Sequence, residues 1–288
     1  GASYPGASTF GAYGGLTCFL TDDLSRDGIF ECLRRRHHYG TTGCRMHMEF
    51  AVKFDKEATV YERDPKVFPE SKFFSSSEVM MGDIVQTSEK EVLLKLHVLA
   101  HSAIERIEIR NGTEVLETFR PYNTNDLGNR IRVIWSGSEY RGRGRQSSWT
   151  GRSVFKECRI ERLAKINAWN HERRLEKSSI DTVEWDAITT GNFGGFDVWL
   201  DEADDAELNL TCNRGEIQVP LNSIGLEDTV LEAGGLERRI RVFRLPSENP
   251  HREVQHHLVI PLKPSGDNPL WICVTTEDGF QAWSSPVF

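Results

Sequence analysis

From Met46 onward, hydrophobic residues recur at every second position. Met46, Met48, Phe50, Val52 and Phe54 share one face of an extended segment, with polar residues between several of them, the period-two pattern of a strand with one buried side. Residues 92–98 read as a second strand. Ile104, Ile107 and Ile109 precede Asn111-Gly112, a hairpin turn signal, and Val115, Leu116 and Phe119 mark the return. Ile131, Val133 and Trp135 alternate cleanly. The style continues through residues 154–169, 182–185, 196–200, 208–212, 217–219, 240–243, 258–260 and 270–274 to Trp283, with turns marked by Gly234-Gly235, Pro250 and Gly266-Asp267-Asn268-Pro269. Many short strands at intervals near ten residues predict an antiparallel β-sandwich. Residues 55–77, charged and holding two prolines, are expected to be an irregular connection.

The first 43 residues follow different physics. Residues 1–16 are rich in glycine and alanine, which suits backbone folded tightly against a neighbour. Residues 25–36 predict one short amphipathic helix, with Ser25 as cap, Asp27 in the first turn, Ile29, Phe30 and Leu33 as an apolar stripe, and Arg34, Arg35 and Arg36 where cations oppose the dipole. His37-His38-Tyr39-Gly40-Thr41-Thr42-Gly43 then reads as a polar turn. One reading of it is a helix C-cap with Gly40 or Gly43 left-handed. The other is an anion-proximal or metal-proximal loop, in which the imidazoles, hydroxyls and arginines hold phosphate or orient a metal's ligands. The spacing leaves both open.

Composition narrows the function classes. A net charge of −8 argues against a general nucleic-acid binder. No run approaches the roughly 18 apolar residues of a membrane span. The six cysteines are scattered without a C-x-x-C pair and read as buried small hydrophobes. His97 and His101 lie about 13 Å apart on a strand, too far for joint ligation, and both read as structural. The acid run at residues 201–207 lacks calcium-loop spacing and reads as a solvated turn. His251, His256 and His257 read as surface residues. The arginine–glycine stretch 138–152, with Arg143 and Arg145, admits three readings: a hairpin paired with surface carboxylates, a bidentate anion clamp, and a single-strand nucleic-acid contact. Trp135, Trp199 and Trp271 fall at alternating positions and are expected in the core.

A series of short motifs carries a resemblance. Pro5-Gly6, Tyr13-Gly14-Gly15-Leu16-Thr17, Cys32-Leu33-Arg34-x-Arg36 and Tyr39-x-Thr41-Thr42-Gly43 are followed by Gly142-Arg143-x-Arg145-x-x-x-Trp149-x-Gly151. Trp185, Thr189-Thr190-Gly191-Asn192 and the closing Ala282-Trp283-Ser284-Ser285-Pro286 complete it. In collinear order over nearly the whole chain, these motifs resemble the bacterial domain-of-unknown-function 3604 family, which is similar to PHP-type (polymerase and histidinol phosphatase) metal-dependent phosphoesterases. The resemblance implies residues 1–45 as the C-terminal tail of a PHP-like α/β barrel and residues 46–288 as the antiparallel β-sandwich region. The family's metal-bearing barrel stands mostly ahead of the position of Gly1, so this chain is expected to be the later part of a longer protein.

The resemblance further implies a metal-dependent hydrolase of phosphate esters or related ester anions. Its divalent ion (Zn, Mn or Fe) would be held mostly by ligands outside this chain, and no residue here is read as a metal ligand. Arg36, His38, Tyr39, Thr41, Thr42, Arg143 and Arg145 are the expected substrate-side residues. The expected partners are the N-terminal barrel segment, covering Phe10, Leu16, Phe19, Leu20, Ile29 and Phe30, and a small anionic substrate, with no nucleic acid. Homo-oligomerisation and the choice between bacterial cytoplasm and periplasm stay open. The competing reading is a non-catalytic β-sandwich module that binds carbohydrate or a protein partner.

Overall fold

The computed structural model describes residues 14–140, 142, 144–168, 170, 172–201 and 206–288. Residues 1–13, including Phe10 and most of the glycine-rich segment, lie outside the described residues, as do Arg141, Arg143, Trp169 and four residues of the acid run. In chain order the elements begin with β1 (Leu16–Phe19), α1 (Arg26–Arg35), β2 (His38–Thr41), β3 (Met46–Tyr61), β4 (Phe73–Met80), β5 (Ile84–Gln86), β6 (Glu91–Ala100), β7 (Ile104–Asn111) and β8 (Glu114–Phe119). There follow β9 (Arg130–Ser136), β10 (Ser147–Lys156), β11 (Ile160–Ile166), β12 (Leu175–Lys177), β13 (Thr182–Thr189), β14 (Phe193–Leu200), β15 (Glu207–Cys212), β16 (Gly215–Pro220), β17 (Thr229–Glu232) and β18 (Arg239–Leu245). The chain closes with β19 (Glu253–Pro261), β20 (Leu270–Thr276) and β21 (Gln281–Ser284). The protein is mainly β, with open sheets and, among the described residues, a single α-helix.

Contacts divide the described residues into two units, one formed by residues 14–121 together with Pro250–Phe288, the other by Tyr122–Asn249. In the first unit, one sheet runs β1-β2-β21-β20-β7-β8 and the other runs β19-β6-β3-β4, with β5 beside β3. Met48, Phe50, Leu94 and Val98 from one sheet meet Ile104, Ile107, Ile272 and Val274 from the other in one buried cluster. This is the face-to-face packing of a β-sandwich. In the second unit, β11-β14-β9-β18-β17 and β12-β13-β10-β15-β16 enclose another core, centred on Trp135, Trp149, Trp185 and Phe196. The single sandwich region expected from residue 46 onward is therefore two pairs of sheets.

Several local expectations change once the sheets are seen. The turn expected at residues 37–43 contains a strand: β2 pairs with β1 and also with β21, Tyr39 opposite Ser284 and Thr41 opposite Ala282. A boundary at residue 45 thus runs through hydrogen-bonded strands of one sheet. Arg36, and neither Gly40 nor Gly43, is the left-handed helix cap (φ 60°), with its N–H donating to the Cys32 and Leu33 carbonyls. Ser25 caps the other end, accepting from Gly28 N at 3.1 Å. The connection expected over 55–77 instead extends β3 to Tyr61 past a register shift and contains the start of β4. Cross-strand pairing overrides the low strand propensity of its charged residues. Trp199 and Trp271 are only half-buried on outward faces. Their indole N–H groups donate to Ser247 O at 2.9 Å and Gly112 O at 2.8 Å, and Arg162 lies 3.7 Å above the Trp199 ring.

Buried charge locks each unit. Asp83, almost fully buried, accepts from Met80 N at 3.0 Å and pairs with His37 Nε2 at 2.8 Å, tying the end of α1 to the turn after β4. A Cβ on Gly82 would stand 2.3 Å from Arg36 O, so only glycine allows that approach. In the second unit, Asp197 on β14 is gripped by Arg130 and Arg132 of β9, the guanidinium N–H groups donating at 2.6–3.1 Å. Burial pushes the Asp197 carboxyl up, but Arg132 and Arg130 outweigh it and hold its pKa below the ordinary 3.8. A depressed folded-state pKa contributes stability that is complete above that ordinary value and is lost as pH falls through the lower one. Asp197→Ala, which strands two buried guanidinium groups, is expected to cost about 3–5 kcal/mol in denaturant unfolding. Asp197→Asn is expected to remove the acid-limb loss of stability that Asp197 contributes.

Candidate metal centre

The alternation that fills the core of the first unit also builds its outer face. With Met46, Met48 and Phe50 inside, His47 and Glu49 project from β3 to solvent. With Leu96 and Val98 inside, His97 projects from β6. The register sets Glu49 directly opposite His97 and His47 opposite Leu99. On the other side of β6, β19 aligns Gln255 with His97 and Glu253 with Leu99. Three strands thus bring two imidazoles and two carboxylates to one patch.

His47 Nε2 lies 3.0 Å from Glu49 Oε1, and the two imidazole rings meet edge to face at 5.9 Å. His97 Nε2 lies 2.9 Å from Glu253 Oε1, while its Nδ1 faces Glu49 Oε2 at 3.8 Å. One donor atom each from His47, Glu49 and His97 falls within 4.8 Å of the other two. A divalent ion with bonds near 2.0–2.1 Å draws its ligands to about 3.3 Å from one another. All three side chains are at least partly exposed, so rotation about their own bonds supplies that contraction. Glu253 is placed to accept a hydrogen bond from the N–H of one His97 ring nitrogen, as carboxylates behind metal-bound histidines do, which would leave the other nitrogen to face an ion. Two imidazoles and a carboxylate match the donor preference of zinc, iron, manganese and related ions, and leave coordination positions for water or ligand. The residues present fit such a group.

The substrate-side residues expected from sequence occupy other places. Tyr39 is buried and donates its hydroxyl to Met46 O at 2.5 Å. Burial raises its pKa well above the ordinary 10.0, with the neighbouring Cys18 adding to the shift. Thr41 is buried, donates to Cys44 O at 2.8 Å and accepts from Gly43 N at 3.2 Å. Arg36 donates through Nε to Gly82 O at 2.8 Å and through Nη1 to Arg34 O at 2.9 Å. Thr42 is exposed and accepts from Gln281 N at 2.9 Å. His38 is half-buried, stacks on Phe19 at 5.9 Å, and its Nδ1 has no partner. Arg145 lies in the other unit, and Arg143 lies outside the described residues. The structure gathers Arg36, His38, Tyr39, Thr41 and Thr42 around α1 and β2. Most of their polar atoms are engaged with backbone.

His47, Glu49 and His97 were missed because the sequence pairs His97 most visibly with His101. His101 in fact bonds Asp278 Oδ2 at 2.7 Å and packs against Phe280. The usable signal was His47-x-Glu49, two donors on the polar side of an alternating strand. The third donor arrives through the strand register. Burial pushes Cys273 up to about 12 and Cys158 up to about 11, keeping both as thiols.

Comparison with family models, characterised proteins and solved structures returned no match. The family resemblance therefore rests on the motifs quoted above. No helix among the described residues is long and apolar enough to cross a membrane. The structural role of the β2 hydroxyls has a direct check. Tyr39→Phe and Thr41→Val are each expected to lower unfolding stability by about 1 kcal/mol, the net worth of one hydrogen bond, in urea titrations.

Proposed function

We propose that this chain binds a divalent transition-metal ion through His47, Glu49 and His97, with Glu253 orienting His97, and that the complete protein is a metal-dependent hydrolase of phosphate esters or related ester anions. The observation that carries the metal reading is the convergence of three donor atoms within 4.8 Å, backed by the Glu253 carboxylate on His97. The hydrolase reading draws its support from the resemblance to PHP-type phosphoesterases and from the open coordination that the donor set leaves. When bound, such an ion lowers the pKa of a coordinated water and neutralises charge developing on an ester oxygen. Two imidazoles and the carboxylates of Glu49 and Glu253 make the patch favourable for a dication.

Within this proposal, Arg36, His38, Tyr39, Thr41 and Thr42 are the substrate-side candidates of the first unit, while Arg145 belongs to the other unit and Arg143 lies outside the described residues. Tyr39 and Thr41 serve it by holding β2 in place, since their hydroxyls are spent on backbone carbonyls. The Thr42 hydroxyl is spent on the Gln281 backbone, accepting from its N at 2.9 Å and donating to its O at 3.5 Å, and Nδ1 of His38 is the one buried polar atom of this group without a partner among the described residues. The N-terminal barrel segment belongs to the same proposal. Leu16, Leu24, Phe30 and Leu33 are exposed around β1 and α1 and give such a segment an apolar surface to cover. The resemblance implies a bacterial protein and leaves the choice between cytoplasm and periplasm open.

Metal analysis of the purified chain, followed by calorimetric titration with Zn(II), Mn(II) and Fe(II), tests the site. One ion per chain is expected. His97→Ala is expected to abolish binding, and Glu253→Gln to weaken it about tenfold or more. Undiminished stoichiometric binding by the His47→Ala/His97→Ala double variant would place the ion elsewhere. Hydrolysis of p-nitrophenyl phosphate by the metal-loaded protein tests the second half. An ion bound at His47, Glu49 and His97 with no turnover of phosphate esters leaves the metal centre standing and removes the hydrolase.

A further inference from the structure

The unit formed by Tyr122–Asn249 holds a cleft of about 310 Å³ that the metal reading does not use. It lies where the end of β11, the start of β14 and the second half of β13 meet, under the connection from β11 to β12. Its floor is apolar: Ile166, Leu175 and Phe193 surround the edge of the buried Trp135 indole. Gly194 makes that floor accessible, because a Cβ there would stand 3.1 Å from Trp135 Nε1. The volume sits at the small end of ligand pockets and suits one or two sugar-sized rings.

The walls carry hydrogen-bonding capacity that the protein leaves unspent. Gln146 lines the cleft, and its side-chain amide has no hydrogen bond among the described residues. Asn170 and Asn192 each use only the side-chain oxygen, accepting from Glu172 N at 3.0 Å and Thr190 N at 2.8 Å. Their amide N–H groups remain open. Beside them Arg173 Nη1 donates to both oxygens of Asp186 at 3.0 and 3.1 Å, and both side chains stay partly exposed. Arg174, also at the cleft, pairs with Glu176 and Glu184.

Charge decides which ligand these groups fit. Among the described residues that line the cleft, both arginines, Arg173 and Arg174, have carboxylate partners, so neither waits uncompensated for an anion. A phosphate or carboxylate ligand needs an uncompensated cation. The polar walls equally disfavour a hydrocarbon chain, whose burial would strand amide donors. A neutral, hydroxyl-rich ring satisfies both surfaces. Its hydroxyls donate and accept, matching the amides and the Arg173–Asp186 pair, and its C–H face lies on the apolar floor. We propose that this cleft is a carbohydrate-binding site for a neutral sugar residue, with Gln146, Asn170, Asn192 and the Arg173–Asp186 pair taking its hydroxyls. The site stands independently of the metal centre.

The test uses the full chain in EDTA, so that the outcome does not depend on a bound ion. Saturation-transfer NMR and calorimetry are run against methyl glycosides of glucose, galactose, mannose and N-acetylglucosamine and short neutral oligosaccharides of each. Glucuronate and inorganic phosphate are run in parallel. At least one neutral sugar is expected to bind. Gln146→Ala and Asp186→Asn are each expected to weaken that binding about fivefold, the loss of one hydrogen bond. Gln146 is exposed and its side chain makes no hydrogen bond among the described residues, so Gln146→Ala is expected to leave the melting temperature unchanged. Binding of glucuronate or phosphate alone would overturn the proposal. So would the absence of binding by every neutral sugar, or neutral-sugar binding equal in wild type and both variants.

Discussion

The register of β3 against β6 is the constraint on which most of the first unit depends. Met46 opposite Ala100 through Lys53 opposite Leu93 sets Met48, Phe50, Leu94 and Val98 into the core. The same pairing puts His47, Glu49 and His97 together on the other face. Because side chains alternate with period two, a slip of one residue would expose the core face and bury the histidines and glutamate. Core packing therefore enforces the geometry of the candidate metal centre. The cost of exposing several large apolar side chains, each worth about 1.5–3 kcal/mol, exceeds anything the exposed polar groups contribute to choosing the register.

The second unit is held by a different combination. Trp135 and Trp185 stack at 5.3 Å and pack on Phe196, giving a large aromatic core. Asp197, one residue beyond Phe196, points away from that core and meets two arginines of β9. Buried charge of this kind adds little net stability and is costly to break. It therefore pins β9 and β14 in one register, since any slip leaves ions unpaired. The cleft beside Trp135 takes its apolar floor from strands of that core, while most of its polar wall residues, Gln146, Asn170, Arg173 and Asn192, lie in the connections beside them.

The two units thus present different chemistries from the same architecture. One gathers nitrogen and carboxylate donors on an outer sheet face, where they are at least partly exposed. The other gathers amides and a self-neutralised ion pair around an apolar floor. The candidate metal centre and the proposed sugar cleft are compatible in one protein. Each rests on its own residues, and the loss of either leaves the other in place.

Period-two alternation, turn residues and helix-cap residues were enough to establish a mainly β protein, the Asn111-Gly112 hairpin, the capped helix with Ser25 and Asp27, and most strands from Met46 to Trp283. These are local matters: alternation and turn chemistry act over a few residues. The extension of β3 to Tyr61, the pairing of Tyr39–Thr41 with Ala282–Ser284 and the division into two sandwiches were decided by tertiary structure. They depend on which distant strand lies alongside, and hydrogen bonding between strands leaves no local signature. The metal centre shows the same limit most sharply. His47 and Glu49 are two residues apart on one polar face and legible as a pair. His97 and Glu253 join them only because β6 lies between β3 and β19, a choice made by burying the opposite faces of all three strands.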